Sequence, residues 1–155
     1  MTILFASCKI YSFTGISISP EVKTVTVENI INNANNVNPT LAQTVTEKMK
    51  DKFSQEARLD LLERNGDVLF VGAITGYDVR PAASGAGDRA ELNRLTISMS
   101  VDYVNNVEDK NWSKSFTQYE NFDRNANLSA VEDQLIEEIT DRMVADIFAA
   151  AFSDW

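Results

Sequence analysis

With 155 residues, 44% of them hydrophobic, the chain is long enough to bury one core and too apolar to stay disordered. Its 23 acidic side chains against 14 basic ones leave a formal charge of -9, the wrong sign for holding phosphodiesters, which argues against a nucleic-acid binder. The lack of histidine and the single cysteine remove the usual neutral-pH proton shuttle, an intramolecular disulfide and a cysteine zinc cluster; no apolar run reaches the roughly 18 residues of a membrane-spanning helix.

The opening MTILFASC is apolar and ends in small residues before Cys8. Met1 to Phe5 is too short for the apolar segment of a signal peptide and has no basic lead. Two readings of Cys8 stand side by side: a buried or inert thiol, or the lipid-bearing residue that closes a lipoprotein signal. Tyr11 to Ile18, mixing aromatic, hydroxyl and β-branched residues around Gly15, suits an extended arm. Pro20 then opens Glu21 to Val27, a strand with Val25 and Val27 on one face. The asparagine-rich NIINNANNVNP reads as loop, because asparagine tolerates left-handed backbone and caps its own turns.

Asn38-Pro39 marks a helix start, with Asn38 as cap and Pro39 where a missing N–H costs nothing. Leu41, Val45, Met49 and Phe53 follow at a spacing of four and form one core-facing stripe. Lys48, Lys50 and Lys52, with Arg58 beyond, are the densest basic cluster in an acidic chain and a candidate anion contact. Leu59, Leu61 and Leu62 begin a second strand, and Asn65-Gly66 predicts a tight hairpin into the next one. That strand, Val68 to Val79, carries Gly72 and Gly76, which point to close backbone approach, a bulge or a bend.

The connection from Arg80 to Arg89 has no Gly-Lys-Ser/Thr ending and is not a phosphate loop. From Leu92 to Val104, Leu95, Ile97, Met99, Val101 and Tyr103 alternate with Thr96, Ser98, Ser100 and Asp102, a period of two with one buried face. Asn65 to Asn106 therefore reads as one long antiparallel hairpin. Trp112 to Glu120 is a further strand. Ser129 and Glu132 spell a capping box, opening a helix through Leu135, Ile136, Ile139, Met143, Ile147, Phe148 and Phe152 to Trp155. Its outer acids beyond the first turn, Glu137, Glu138, Asp141 and Asp146, do not serve the helix dipole and are left for solubility or a partner.

These elements predict an α+β fold, two helices packed on one face of a mostly antiparallel four- to five-stranded sheet. The first strand reaches the rest through a helix, which permits parallel pairing. An enzyme would rest on paired carboxylates such as Asp102 with Glu120, but no nucleophile and base are recognisable together.

The order and spacing of CKIYSFTG, VNPTLAQTVTEKMKDKF, GDVLFVGAITGYDVRPAA, LNRLTISMSVDYVNN, SAVEDQLIEEIT and DIFAAAFSDW resemble the LptE family of lipopolysaccharide-assembly lipoproteins, from Cys8 to Trp155. The resemblance implies a non-enzymatic outer-membrane lipoprotein on the periplasmic side, without metal or cofactor. It implies a plug within the LptD β-barrel that assists barrel assembly and takes part in lipopolysaccharide transport to the outer leaflet. It makes Cys8 the lipid anchor, residues 1–20 a signal remnant and anchor arm, and residues 21–155 a single LptE-like domain. Lipopolysaccharide phosphates, repelled by the average field, would need local cations, for which Lys48, Lys50, Lys52, Arg58 and Arg94 are candidates. The alternative is a periplasmic binding or adaptor module for another cell-envelope complex, since a fold does not fix a function.

Overall fold

A computed structural model describes residues 15–35, 38–82 and 91–153. Cys8 and the arm around Tyr11 lie outside the described residues. In chain order the elements are β1 Thr24–Val27, β2 Ile31–Asn32, α1 Leu41–Gln55, β3 Asp60–Leu61, β4 Val68–Pro81, β5 Leu92–Asn105, β6 Lys110–Asp123 and α2 Leu128–Phe152. The sheet runs β3-β1-β4-β5-β6, with β2 beside β4. The fold is α+β as expected, and the sheet is mixed: β4, β5 and β6 pair antiparallel, whereas β1 runs parallel to both β3 and β4, and β2 runs parallel to β4.

The long hairpin forms because its side-chain alternation can be satisfied in only one register. Leu95, Ile97, Met99 and Val101 are fully buried and Tyr103 nearly so, while the alternate hydroxyls face outward. The β4–β5 register shifts by one between Ile74 and Gly76, so the bulge suggested by the glycines is present, with Thr75 as the extra residue. Gly72 answers a different need, since a Cβ there would lie 2.5 Å from Met99 Cε and 2.7 Å from Ile30 Cδ1.

Both helices cover one face of this sheet. The α1 stripe Leu41, Val45, Met49 and Phe53 has no exposure at all. Phe53 is where the two helices meet the strands: its ring stacks on Phe70 at 4.4 Å and Phe148 at 6.0 Å and meets Phe152 edge-on at 5.7 Å. No helix among the described residues is long and apolar enough to cross a membrane.

Five local expectations are corrected. Asn65-Gly66 does not turn a hairpin, because β3 and β4 lie on opposite sides of β1 and both run parallel to it. The segment between them instead crosses β1 on the side of Thr26, opposite the buried Val25 and Val27. The Gly66 N–H donates to Thr26 Oγ1 at 3.0 Å, and a Cβ on Gly66 would lie 2.6 Å from the Thr26 nitrogen, so the crossing needs glycine. Asn65 supplies the left-handed backbone, φ 58°. The hairpin rule fails because β3 has two residues, both exposed, and offers nothing for a partner strand to bury.

The asparagine-rich segment is not all loop: Ile31 and Asn32 pair with Ala73 and Ile74, and Asn33 donates to Ile74 O at 2.9 Å. The first helix begins at Leu41 after Thr40, while the Asn38 carboxamide accepts from the Thr40 N–H at 3.0 Å in a turn just before it. The capping box does not form either. Asn127 caps α2 by accepting from the Ser129 N–H at 3.1 Å, and Glu132 is occupied by the Tyr77 hydroxyl, which donates to it across the core. The last helix ends at Phe152, and Trp155 lies outside the described residues.

Candidate functional site

The basic residues of α1 divide between its two flanks, as a helix of 3.6 residues per turn requires of positions two apart. Lys48 faces α2, where it pairs with Glu137 at 2.8 Å and with Asp141. Partial burial pulls the Lys48 ammonium down, but the hydrogen bonds and charges of Asp141 and Glu137 outweigh that and hold its pKa above the usual lysine value. Lys52, on the same flank, pairs with Glu56 at 2.7 Å and stands 5.1 Å from the centre of the Phe148 ring. Lys48 thus ties α1 to α2, two of whose unassigned acids are its partners, while Lys52 is held by an acid at the end of its own helix. Arg58 lies exposed in the left-handed turn that follows α1, φ 55°.

Lys50 points the other way, into an open groove of about 960 Å³ between the crossing segment and the end of β1. Leu61 and Leu62, 43% and 42% exposed, give the groove apolar walls, and Arg64 joins Lys50 as a second cation. The groove is amphipathic, and Glu28 and Glu63 on its lining balance the two cations.

Arg94 is far from this cluster in the fold. It lies on the sheet face that neither helix covers, its Nε donating to Asn121 Oδ1 at 2.9 Å and its guanidinium 3.9 Å from the centre of the Tyr119 ring. Directly across the β4–β5 ladder from Arg94 is Arg80. Arg80 is largely exposed and has a loose 3.6 Å approach to Asp78. Like charges placed opposite each other on one face cost stability, so a bound anion has most to relieve here. Arg80 was not foreseen, and for a physical reason: without the extra residue at Thr75, the register would have set it against Asn93 on the other face.

Below the arginines the same face carries Ser98, Ser100, Ser115 and Thr117, with Ala73 and Gly76 beside them; the Ser98 and Thr117 hydroxyls are 2.9 Å apart. It is a flat, hydroxyl-rich surface backed by a fully buried core. The carboxylates that an enzyme would have used are not together. Asp102 pairs in register with Ser113 and Glu120 with Leu95, seven residues apart along the ladder and so about 23 Å. Glu120 is held by Arg142 at 2.8 Å. Among the described residues no group of three or more metal-ligating side chains comes together.

The sequence profile described as LptE, lipopolysaccharide-assembly, matches residues 22–151. No curated protein matches the chain. Among solved structures, a hypothetical protein from Chlamydia trachomatis superposes with a TM-score of 0.58 at 8% identity, covering 82% of this chain and 96% of that one. A protein from Xanthomonas campestris gives 0.55 at 12% identity over 88% and 89% of the two chains. A minor lipoprotein from Acinetobacter baumannii gives 0.50 at 12% identity over 85% and 97%. At such identities these likenesses speak for the fold alone. The profile match spans most of the chain, and the protein belongs to the LptE lipopolysaccharide-assembly family.

Proposed function

We propose that this chain is a non-enzymatic outer-membrane lipoprotein, anchored through Cys8, that plugs the LptD β-barrel, assists its assembly and takes part in lipopolysaccharide transport to the outer leaflet. The observation that carries the reading is the profile match over residues 22–151. The geometry is compatible with it: a barrel lumen is polar, and the open sheet face offers serine, threonine and asparagine on a rigid backing. A single acyl chain holds a protein only marginally, so burial in a barrel would complete an attachment that Cys8 begins. Residues 1–20 then form the anchor arm and 21–155 the domain.

Lipopolysaccharide phosphates require cations free to meet them. Lys48 and Lys52 would have to leave Glu137, Asp141 and Glu56, whereas Arg94, with Arg80 opposite, is oriented by neutral partners and is the contact we favour. Lys50 and Arg58 remain as further contacts. The groove with Leu61, Leu62, Lys50 and Arg64 favours a second reading, a periplasmic binding or adaptor module for another envelope complex. Detergent extraction followed by mass identification separates the two. A plug comes out of the membrane with a much larger barrel, and an adaptor comes out without one. Cys8→Ala abolishes labelling by a fatty-acid probe; unchanged labelling would reject the anchor.

A further inference from the structure

The outer edge of β6 is unpaired by any strand among the described residues. Just past its end, the Arg124 N–H donates to Glu91 O at 3.0 Å, continuing the β5–β6 register. Even-numbered residues of β6 therefore hydrogen-bond to β5, and odd-numbered ones turn their N–H and C=O outward. Two of those outward groups are taken from within the chain. Tyr119 O accepts from Arg142 Nη2 at 2.7 Å, and the Asn121 N–H donates to Glu120 Oε1 at 3.1 Å. Arg142 and Glu120 also pair with each other at 2.8 Å. A side chain of α2 thus reaches round the sheet and clasps the edge of its last strand.

The row of β6 on the helix side reads Trp112, Lys114, Phe116, Gln118, Glu120 and Phe122. Hydrogen bonding requires that odd residues oppose odd ones across an antiparallel pair, which restricts the registers in which this edge can meet itself. With Thr117 on the two-fold axis, Lys114 lies opposite Glu120 of the second copy and Trp112 opposite its Phe122, each twice. Ser115 then lies opposite Tyr119 of the second copy. Lys114 is exposed on the helix side and repels an unmatched strand, a common protection of sheet edges, but in this register it is matched.

We propose that β6 is a self-association edge, closed in the single chain by the Arg142–Glu120 clasp and able, when the clasp opens, to pair antiparallel with β6 of a second copy. Glu120 exchanges Arg142 for Lys114 of the second copy, and Tyr119 O exchanges it for the N–H of Ser115 of that copy. The complementary charges and aromatics of the row select this occupant over an unrelated strand.

Sedimentation of the full chain tests this. Arg142→Gln lowers the dimer dissociation constant by about tenfold or more, one hydrogen-bonded charge pair's worth. Adding Lys114→Glu to that variant reverses the gain, and adding Glu120→Lys as well restores it. No gain in Arg142→Gln would overturn the clasp, and a gain indifferent to Lys114→Glu would overturn the register. In the unmutated protein, the amides of Ser113, Ser115 and Thr117 become more protected from hydrogen exchange as concentration rises. Association that leaves them unprotected, or protection independent of concentration, would overturn the edge itself.

Discussion

The sheet is two constructions joined at β4. On one side, β4, β5 and β6 are 14 residues each and antiparallel, paired along their length but for the bulge at Thr75, and β5 at their centre alternates between a buried and a wet face. On the other, β1, β2 and β3 have four, two and two residues and run parallel, held by single backbone and side-chain bonds. Asp67 is typical of that side. Its Oδ2 accepts the N–H groups of Lys23 at 2.8 Å and Thr24 at 2.9 Å, and its own N–H donates to Thr24 Oγ1. The first half is specified by pattern and the second by particular contacts, so the two should fail differently.

The largest effect is expected in the antiparallel half. Met99→Asp puts an unpaired charge on the fully buried face and should cost about 3–5 kcal/mol, enough to unfold a domain of ordinary stability. Loss of a cooperative melt checks it, and a variant that melts normally would mean the faces are inverted. Gly66→Ala probes the crossing. Its Cβ meets main chain rather than a yielding side chain, so about 1–3 kcal/mol should be lost in urea unfolding.

A smaller effect is expected at Tyr77, which ties the sheet to α2 through Glu132. Tyr77→Phe should cost about 1 kcal/mol at neutral pH. Burial first, then the hydrogen bond and charge of Glu132, raise the Tyr77 pKa above the ordinary 10.0. A group raised by folding contributes stability that is full below the unfolded value and lost as pH climbs through the folded one. The parent should therefore weaken above pH 10.0, and Tyr77→Phe should lose that part of the alkaline decline.

The smallest effect belongs to Asp67, a partly exposed carboxylate. The Lys23 N–H, then Thr24, hold its pKa below the ordinary 3.8, so what it contributes is present above 3.8 and lost as pH falls further. Asp67→Asn should flatten the acid limb of the urea midpoint against pH without moving the alkaline one.

The same division explains what could be read in advance. Leu95, Ile97, Met99, Val101 and Tyr103, and Leu41, Val45, Met49 and Phe53, carry their burial in their own spacing, and all are buried. Asn65-Gly66 carried a strong local turn signal, but whether a turn becomes a hairpin depends on what each neighbouring strand pairs with, and β1 takes both. Lys48 looked free because its partners, Glu137 and Asp141, are 89 and 93 residues away. Arg80 could not be set beside Arg94 without knowing where the bulge falls. Glu132 was assigned to a helix cap and belongs to Tyr77, because a phenol on a facing strand competes for the same carboxylate.

The central claim is that the open, hydroxyl-rich face of β5 and β6 is the surface that meets the barrel. Photo-cross-linkers placed singly at Ser98, Ser100 and Thr117, in the membrane-bound protein, test it directly. The account predicts adducts to one large β-barrel from all three positions. Protein that stays with the membrane and yields no barrel adduct from any of them would contradict it.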